Sequence, residues 1–247
     1  MGNTIEKVTH KIDRDGVWSL LLEGPVWVVR RTQIAKRLRR LRLQVQYRSI
    51  EEPINAFTID PCSIQFHLLK SKYTRRDCGE LGRFDKKYDA GLVIPGNWDK
   101  YKAPIETEPI YRAYRRQIEE DIPWNKTEYG ARIQRIYDRG GTRKGYPTLQ
   151  DYFQSRENLY EKITSDGYDP DLGRISINVG RNGELISNND VRHRLGICRL
   201  AGVDQVPVKV VVRHERWQQI REEVKNTGSI EELTAQQVPS TDHPDLP

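Results

Sequence analysis

A polar stretch from Asn188 to Arg194 combines residue types that bind phosphate. It lies between a predicted strand and a predicted helix, so its backbone N–H groups are unpaired at the positive end of the helix dipole. A phosphate gains from both, and guanidinium groups match its oxygens. Without an anion, cations placed here cost a few tenths to ~1 kcal/mol per charge. We therefore predict a phosphate site made by six residues: Asn188, Asn189, Asp190, Arg192, His193 and Arg194.

An alternative leaves these cations with internal partners. Asp190, Asp204 and Glu184 are close enough in sequence to neutralise Arg192 and Arg194 by salt bridges. In that case the cluster would have a structural role only.

Two carboxylates are candidates for a catalytic base. Asp99 follows Trp98 in a segment punctuated by glycine and proline, and Glu184 precedes the polar stretch. A carboxylate within hydrogen-bond reach of a nucleophile can accept its proton. The alternative for Asp99 is a cap or turn residue beside a packing tryptophan.

A block of basic residues lies near the N-terminus. Between Glu23 and Glu51 the chain carries eight arginines and lysines and no acidic residue, and apolar residues recur at helical spacing. An amphipathic basic helix is predicted, with Arg37, Arg39 and Arg40 as a nucleic-acid or anionic-membrane surface. The alternative is a surface helix with a solvated arginine face.

The elements that must position these residues follow from periodicity and caps. Helices are predicted around 108–120, from an Asn125 cap with Glu128 to Gly140, and from Thr148 to Gly167. A hairpin turning at Asn182-Gly183, a helix capped by Asn188, Asn189 or Asp190, a Val206–Val212 strand and a final helix come next. We expect an α+β fold, a small mixed sheet with flanking helices, extended N-terminally by further α/β elements.

Four segments are predicted along the chain. Residues 1–50 form the basic segment, 51–147 strands and helices that pack on the core, 148–226 the α+β domain and 227–247 a flexible tail.

Composition bounds the function classes. The 247 residues have a net charge of +6 and 31% charged residues, which is typical of a soluble protein with anionic partners. The three cysteines are widely spaced with no histidine at ligand spacing, so we predict no protein-bound metal and a reducing, cytoplasmic location. No apolar segment reaches the roughly 20 residues needed for a transmembrane span.

Residues 148–213 resemble the ParB N-terminal domain and sulfiredoxin in the order and spacing of several motifs. These are Leu159-x3-Ile163-x3-Gly167-Tyr168-x-Pro170, Ile175 to Val179, Val191-Arg192-His193-Arg194, and Leu200-Ala201-Gly202-x3-Val206-Pro207-Val208. The chain is also similar to uncharacterised archaeal and bacterial ParB-like proteins, through Gly96-Asn97-Trp98-Asp99, Trp124 to Glu128 and Val212 to Trp217. Val191 stands where the turn usually has glycine, and Arg192 stands at sulfiredoxin's reactive cysteine. The second departure excludes sulfinic reductase chemistry.

The resemblance implies that the phosphate belongs to a nucleotide, ATP or CTP, with Mg²⁺. Our leading hypothesis is a nucleotide-binding protein, either an NTP hydrolase or a small-molecule phosphotransferase, and the sequence leaves open whether it is an enzyme. The alternatives are a nucleic-acid-binding ParB-like protein or nuclease, and a non-enzymatic accessory protein at a membrane surface.

Overall fold

The computed structural model describes residues 41, 56–69, 84, 89–143, 145–188, 191–227 and 243–246. The chain divides into two units, residues 1–48 and 49–247, and every described residue except Leu41 lies in the second. The basic surface predicted at Arg37, Arg39 and Arg40 lies outside the described residues.

The described part of the chain forms one mixed sheet of seven strands. The strands are β1 (Ala56–Ile59), β2 (Phe66–Leu68), β3 (Leu92–Ile94), β4 (Lys102–Pro104), β5 (Ile175–Val179), β6 (Leu185–Ser187) and β7 (Val206–His214). Their order is β1-β7-β5-β6-β2-β4, and β3 also pairs with β7. The predicted segments 51–147 and 148–226 therefore share a single sheet.

β7 organises the sheet because it pairs along both edges. β5 runs parallel to one edge, with a register shift between Ile177 and Asn178. On the other edge β1 pairs antiparallel with the first half of β7 and β3 pairs parallel with Val212–His214. Val210, Val211 and Val212 are each at most 1% exposed, so both faces of this part of β7 are buried, which favours β-branched apolar residues.

The predicted hairpin joins β5 to β6. Gly183 has φ +85°, and the Gly180 N–H donates to the Glu184 carbonyl at 2.9 Å. Glycine adopts this conformation without a steric cost, which explains why the Asn-Gly signal identified the turn.

Five helices accompany the sheet in the described residues: α1 (Pro109–Glu120), α2 (Glu128–Asp138), α3 (Leu149–Asp166), α4 (Arg192–Leu200) and α5 (Glu215–Thr227). The predicted limits of α3 are confirmed, since Thr148 and Asp151 form a capping box and Gly167 is the C-cap. The predicted α+β class is confirmed as well. None of these helices has the length and apolar character that a membrane crossing requires.

The predicted cap of α2 was wrong. Asn125 lies inside a 3-10 turn, Trp124–Lys126, and Thr127 is the N-cap. The Thr127 hydroxyl accepts from the Gly130 N–H at 2.9 Å and donates to the Trp124 carbonyl at 2.7 Å. Thr127 has the extended backbone that an N-cap requires, with ψ 154°.

The helices and the sheet enclose a common apolar core. Ile175, Ile177 and Val179 of β5 and Val208 and Val210 of β7 are at most 1% exposed. Full burial of such a side chain stabilises the fold by roughly 1.5–3 kcal/mol. This packing positions the first residues of α4 against α1, α2 and α3.

Residues 243–246 lie within the segment predicted to be a flexible tail, and that prediction stays a prediction. Among them, Asp245 is fully buried against Arg213, Trp217 and Arg221. A buried carboxylate persists only with partners such as these. Residues 228–242 lie outside the described residues.

Candidate anion-binding site

The polar stretch enters α4 in a way that differs from the predicted cap. The N-cap residue of α4 is Val191, and it makes no side-chain cap bond. Asn188 is buried, and its amide donates to the Phe84 carbonyl at 3.2 Å. Its backbone N–H donates to the Ser176 carbonyl at 2.9 Å. Asn189 and Asp190 lie outside the described residues.

The structure does not bring Arg192, His193 and Arg194 onto one point. Arg192 forms an ion pair with Glu108. The Arg194 guanidinium donates to the Tyr168 hydroxyl at 2.8 Å and to the Gly173 carbonyl at 2.6 Å. His193 faces a third set of partners on α1, α2 and α3.

Three tyrosine hydroxyls surround the His193 ring. The Tyr114 hydroxyl lies 3.1 Å from Nδ1, and the Tyr129 and Tyr152 hydroxyls each lie 3.3 Å from Nε2. Burial raises the pKa of Tyr114 and Tyr129, so their hydroxyls stay protonated. We call His193, Tyr114, Tyr129 and Tyr152 the His193 cluster.

Three arginines lie near the same imidazole. Burial is the largest of the effects that lower the pKa of His193 to about 3, and the charges of Arg156, Arg192 and Arg143 contribute to the same shift in that order. His193 is therefore neutral at physiological pH, with one ring nitrogen that donates and one that accepts. The positive potential around it comes from the arginines.

Arg156 and Arg143 have no ion pair with any described carboxylate. The Arg156 guanidinium lies over the rings of Tyr146 and Tyr152, at 5.1 and 5.2 Å from their centroids, and contacts the Tyr146 hydroxyl. Within the described residues the Nε atoms of both arginines are buried without a hydrogen-bond partner. A buried donor of this kind costs about 1–3 kcal/mol until a partner arrives.

Arg192 differs from these two arginines because Glu108 holds it. Glu108 is 2% exposed, and its second oxygen accepts from the Ile110 N–H at the start of α1. The carboxylate thus fixes the position of Arg192 and offsets part of its charge. An anion at this place would meet three guanidinium groups and the tyrosine hydroxyls. Arg143 and Arg156 have no ion pair with a described carboxylate, and Glu108 holds Arg192 in position.

Asp99 lies beside the hairpin turn that precedes β6, whereas the polar stretch 188–194 follows β6. It is 1% exposed and accepts from the Arg181 Nε at 2.8 Å, Nη2 at 2.7 Å and backbone N–H at 2.9 Å. Burial raises the pKa of Asp99, but the Arg181 hydrogen bonds and the charge of His214 outweigh this and hold it below its usual value.

Glu184 lies at the same turn and is also engaged. Lys102 donates to it at 2.8 Å. Burial raises the pKa of Glu184, and the hydrogen bond from Lys102 leads the effects that bring it below its usual value. The general-base roles of Asp99 and Glu184 stay predictions, and their known contacts do not join them to the His193 cluster.

Protonation of His193 should weaken the fold as the pH falls. The unfolded chain binds this proton near pH 6.5 and the folded chain only near pH 3, so stability is lost progressively between those values. We expect this histidine to cost about 2 kcal/mol between pH 7.5 and pH 5. Urea unfolding at the two pH values measures the loss, and His193→Gln should remove it.

His243 sets the background for that experiment. Burial also lowers the pKa of His243, so the variant should retain a smaller loss of the same sign. Equal pH dependence in the wild type and His193→Gln would contradict the assignment.

Sequence reasoning missed the tyrosines and two of the arginines. Tyr114 and Tyr152 lie at apolar positions of the helical periodicity that predicts α1 and α3, which by itself indicates only packing. A tyrosine on a buried face needs a partner for its hydroxyl, and this was the available signal. Arg143 and Arg156 carry no sequence signal of their own, because the loop and helix packing bring them together.

Comparisons of the chain with protein-family models, with curated proteins and with solved structures found no match. The resemblance to ParB and sulfiredoxin therefore stays a prediction that rests on the motifs quoted for it.

Proposed function

We propose that the protein binds a phosphate-bearing small molecule, a nucleotide, where Arg143, Arg156 and Arg192 approach the His193 cluster. The observation that carries the proposal is the pair of guanidinium groups, Arg143 and Arg156, that lack a described carboxylate partner and keep buried, unpartnered Nε atoms. A phosphate would supply hydrogen-bond acceptors to both guanidinium groups, and its negative charge would offset their positive charge near His193.

Neighbouring groups favour a nucleotide over a bare ion. Tyr146 is partly exposed beside Arg156, and aromatic rings next to cations are common surfaces for nucleobases. The resemblance to ParB and sulfiredoxin implies ATP or CTP as the ligand.

Mg²⁺ would enter with the nucleotide. The described residues contain no group of three or more His, Cys, Asp or Glu side chains arranged to hold a metal ion. Magnesium at nucleotide sites keeps several waters and takes most other ligands from phosphate oxygens, so such a group is not required. NTP hydrolysis and phosphotransfer stay predictions.

A thermal-shift screen tests binding. Millimolar ATP or CTP with Mg²⁺ should raise the melting temperature by about 5–10 °C if the concentration is near 100 times Kd. Arg156→Gln should remove most of this shift, because it deletes one guanidinium group that faces the anion.

Arg115→Gln is the matched control. Arg115 lies on the exposed side of α1, paired with Glu119, and the substitution removes the same charge. The control should keep the full shift. If neither nucleotide stabilises the wild type, the proposal fails, and a shift produced by oligonucleotides alone would favour the nucleic-acid alternative.

A further inference from the structure

A carboxylate pocket lies between β7 and α5, away from the residues of the proposed nucleotide site. Asp245 fills it and is 0% exposed. Its carboxylate accepts from the Arg213 Nε at 2.8 Å and from the Trp217 indole N–H at 2.8 Å, and the Arg221 Nε lies 3.6 Å away. Arg221 also donates to the Asp245 main-chain carbonyl. The pocket therefore binds both the side chain and the main-chain carbonyl of this residue.

The segment that carries Asp245 is a self-contained turn. The Leu246 N–H donates to the His243 carbonyl at 3.0 Å, and the Asp245 N–H donates to His243 Nδ1 at 3.1 Å. Pro244 follows His243, at the position of a β-turn where its fixed φ is favourable. The turn is thus organised by its own bonds, and it belongs to no strand or helix.

The neighbouring hairpin is shaped to receive this turn. His243 Nε2 donates to the Gly183 carbonyl at 2.7 Å, and its ring packs edge-on against Trp217 at 4.5 Å. A Cβ on Gly183 would lie 2.8 Å from Trp217 and 3.3 Å from His243. Glycine therefore leaves the space that the turn and the indole occupy.

Charge complementarity defines what the pocket accepts. Arg213 is 2% exposed and Arg221 is 5% exposed, and among the described residues Asp245 lies within ion-pair distance of both. Buried cations demand an anionic partner with matching hydrogen bonds. The Trp217 indole N–H adds a third donor to the same carboxylate, so a compact carboxylate on a turn fits best.

We propose that this pocket is a binding site for an acidic turn, and that residues 243–246 are its resident ligand in cis, docking and leaving as a unit while the sheet stays folded. Its contacts are side-chain and carbonyl contacts from one short turn, with no sheet ladder to break. Pro244 and the internal bonds favour the docked shape before the turn docks, which keeps the entropic cost of docking low. In the undocked turn these bonds are exposed to water and break and re-form rapidly, so the Asp245 and Leu246 amides exchange whenever the turn leaves.

Native-state hydrogen exchange on the full chain tests the proposal. The Asp245 and Leu246 amides and the Trp217 indole N–H should exchange through one common opening, at least tenfold faster than the Val210 amide in the centre of the sheet. If all three groups exchange at the rate of the Val210 amide, the turn opens only with global unfolding. Unrelated rates would mean that it does not dock as a unit. Either result overturns the proposal.

A second experiment tests the ligand class. A protease site inserted within residues 228–242 of the full chain allows the tail to be cut after folding. A labelled peptide of residues 239–247 should then bind saturably, and the same peptide with Asp245→Asn at least tenfold more weakly. A peptide of the same composition in scrambled order is the control and should not bind. The proposal is overturned if the parent peptide does not bind the cleaved protein, or if the Asp245→Asn peptide binds equally well.

Discussion

Replacing Asp245 with asparagine is expected to lower the free energy of unfolding by about 3–5 kcal/mol. The substitution keeps the shape of the side chain but removes the charge that faces Arg213 and Arg221, both at most 5% exposed. It also puts an amide NH₂ donor beside groups that are themselves donors. Urea unfolding at pH 7.5 measures the loss.

The proposed docking of the turn sets an upper limit on this loss. A turn that can leave its pocket cannot destabilise the fold by more than its own docking free energy. The loss in Asp245→Asn should therefore not exceed the opening free energy from hydrogen exchange. Asp171→Asn makes the same chemical change at an exposed position and should leave stability unchanged. A loss under 1 kcal/mol in Asp245→Asn would show that the buried ion pairs contribute little.

Removing Arg143 and Arg156 together should reduce nucleotide affinity roughly 100-fold or more. Hydrogen bonds to charged groups contribute about 1.5–3 kcal/mol each, and the double variant Arg143→Gln/Arg156→Gln loses at least two of them. Isothermal titration with ATP or CTP measures the change.

The same variant should keep its stability in the absence of ligand. No described ion pair is broken, and loss of the Arg156 contact with the Tyr146 and Tyr152 rings costs about 1 kcal/mol or less. A loss of affinity with unchanged stability is expected of residues that bind a ligand, and not of residues that stabilise the fold. Arg115→Gln/Arg116→Gln removes two exposed, paired arginines of α1 as a control. Undiminished affinity in the double variant would contradict the site, and a collapse of its unliganded stability would assign these arginines a structural role.

Local signals predicted several elements well. Thr148 and Gly167 set the limits of α3, and Asn182-Gly183 set the hairpin, because caps and tight turns depend on a few neighbouring residues. The start of α2 was different. Asn125 and Thr127 are both good cap residues, and the choice depends on Trp124, which is 3% exposed and stacks on Phe153 of α3. That contact is not visible in the local sequence.

The candidate site was predicted only in part. His193 and Arg192 do lie near an unusually cationic region, but Arg194 points to other partners. Successive residues on a helix point in directions about 100° apart, so the side chains of Arg192, His193 and Arg194 cannot all face one ligand. This geometry was available from the sequence. The roles of Tyr129 and Arg156 were not, because they depend on how α2 and α3 pack against α4.

The pairing of β1 with β7 has a consequence for how the molecule acquires its structure. Ala56 lies opposite Lys209, about 150 positions along the chain, and β3 also finds its partner in β7. Closing so large a loop costs entropy before hydrogen bonds between the paired strands can offset it. Folds dominated by such pairings therefore form slowly. During synthesis, β1 and β3 must wait for β7 to emerge, and the exposed strands then need protection from aggregation.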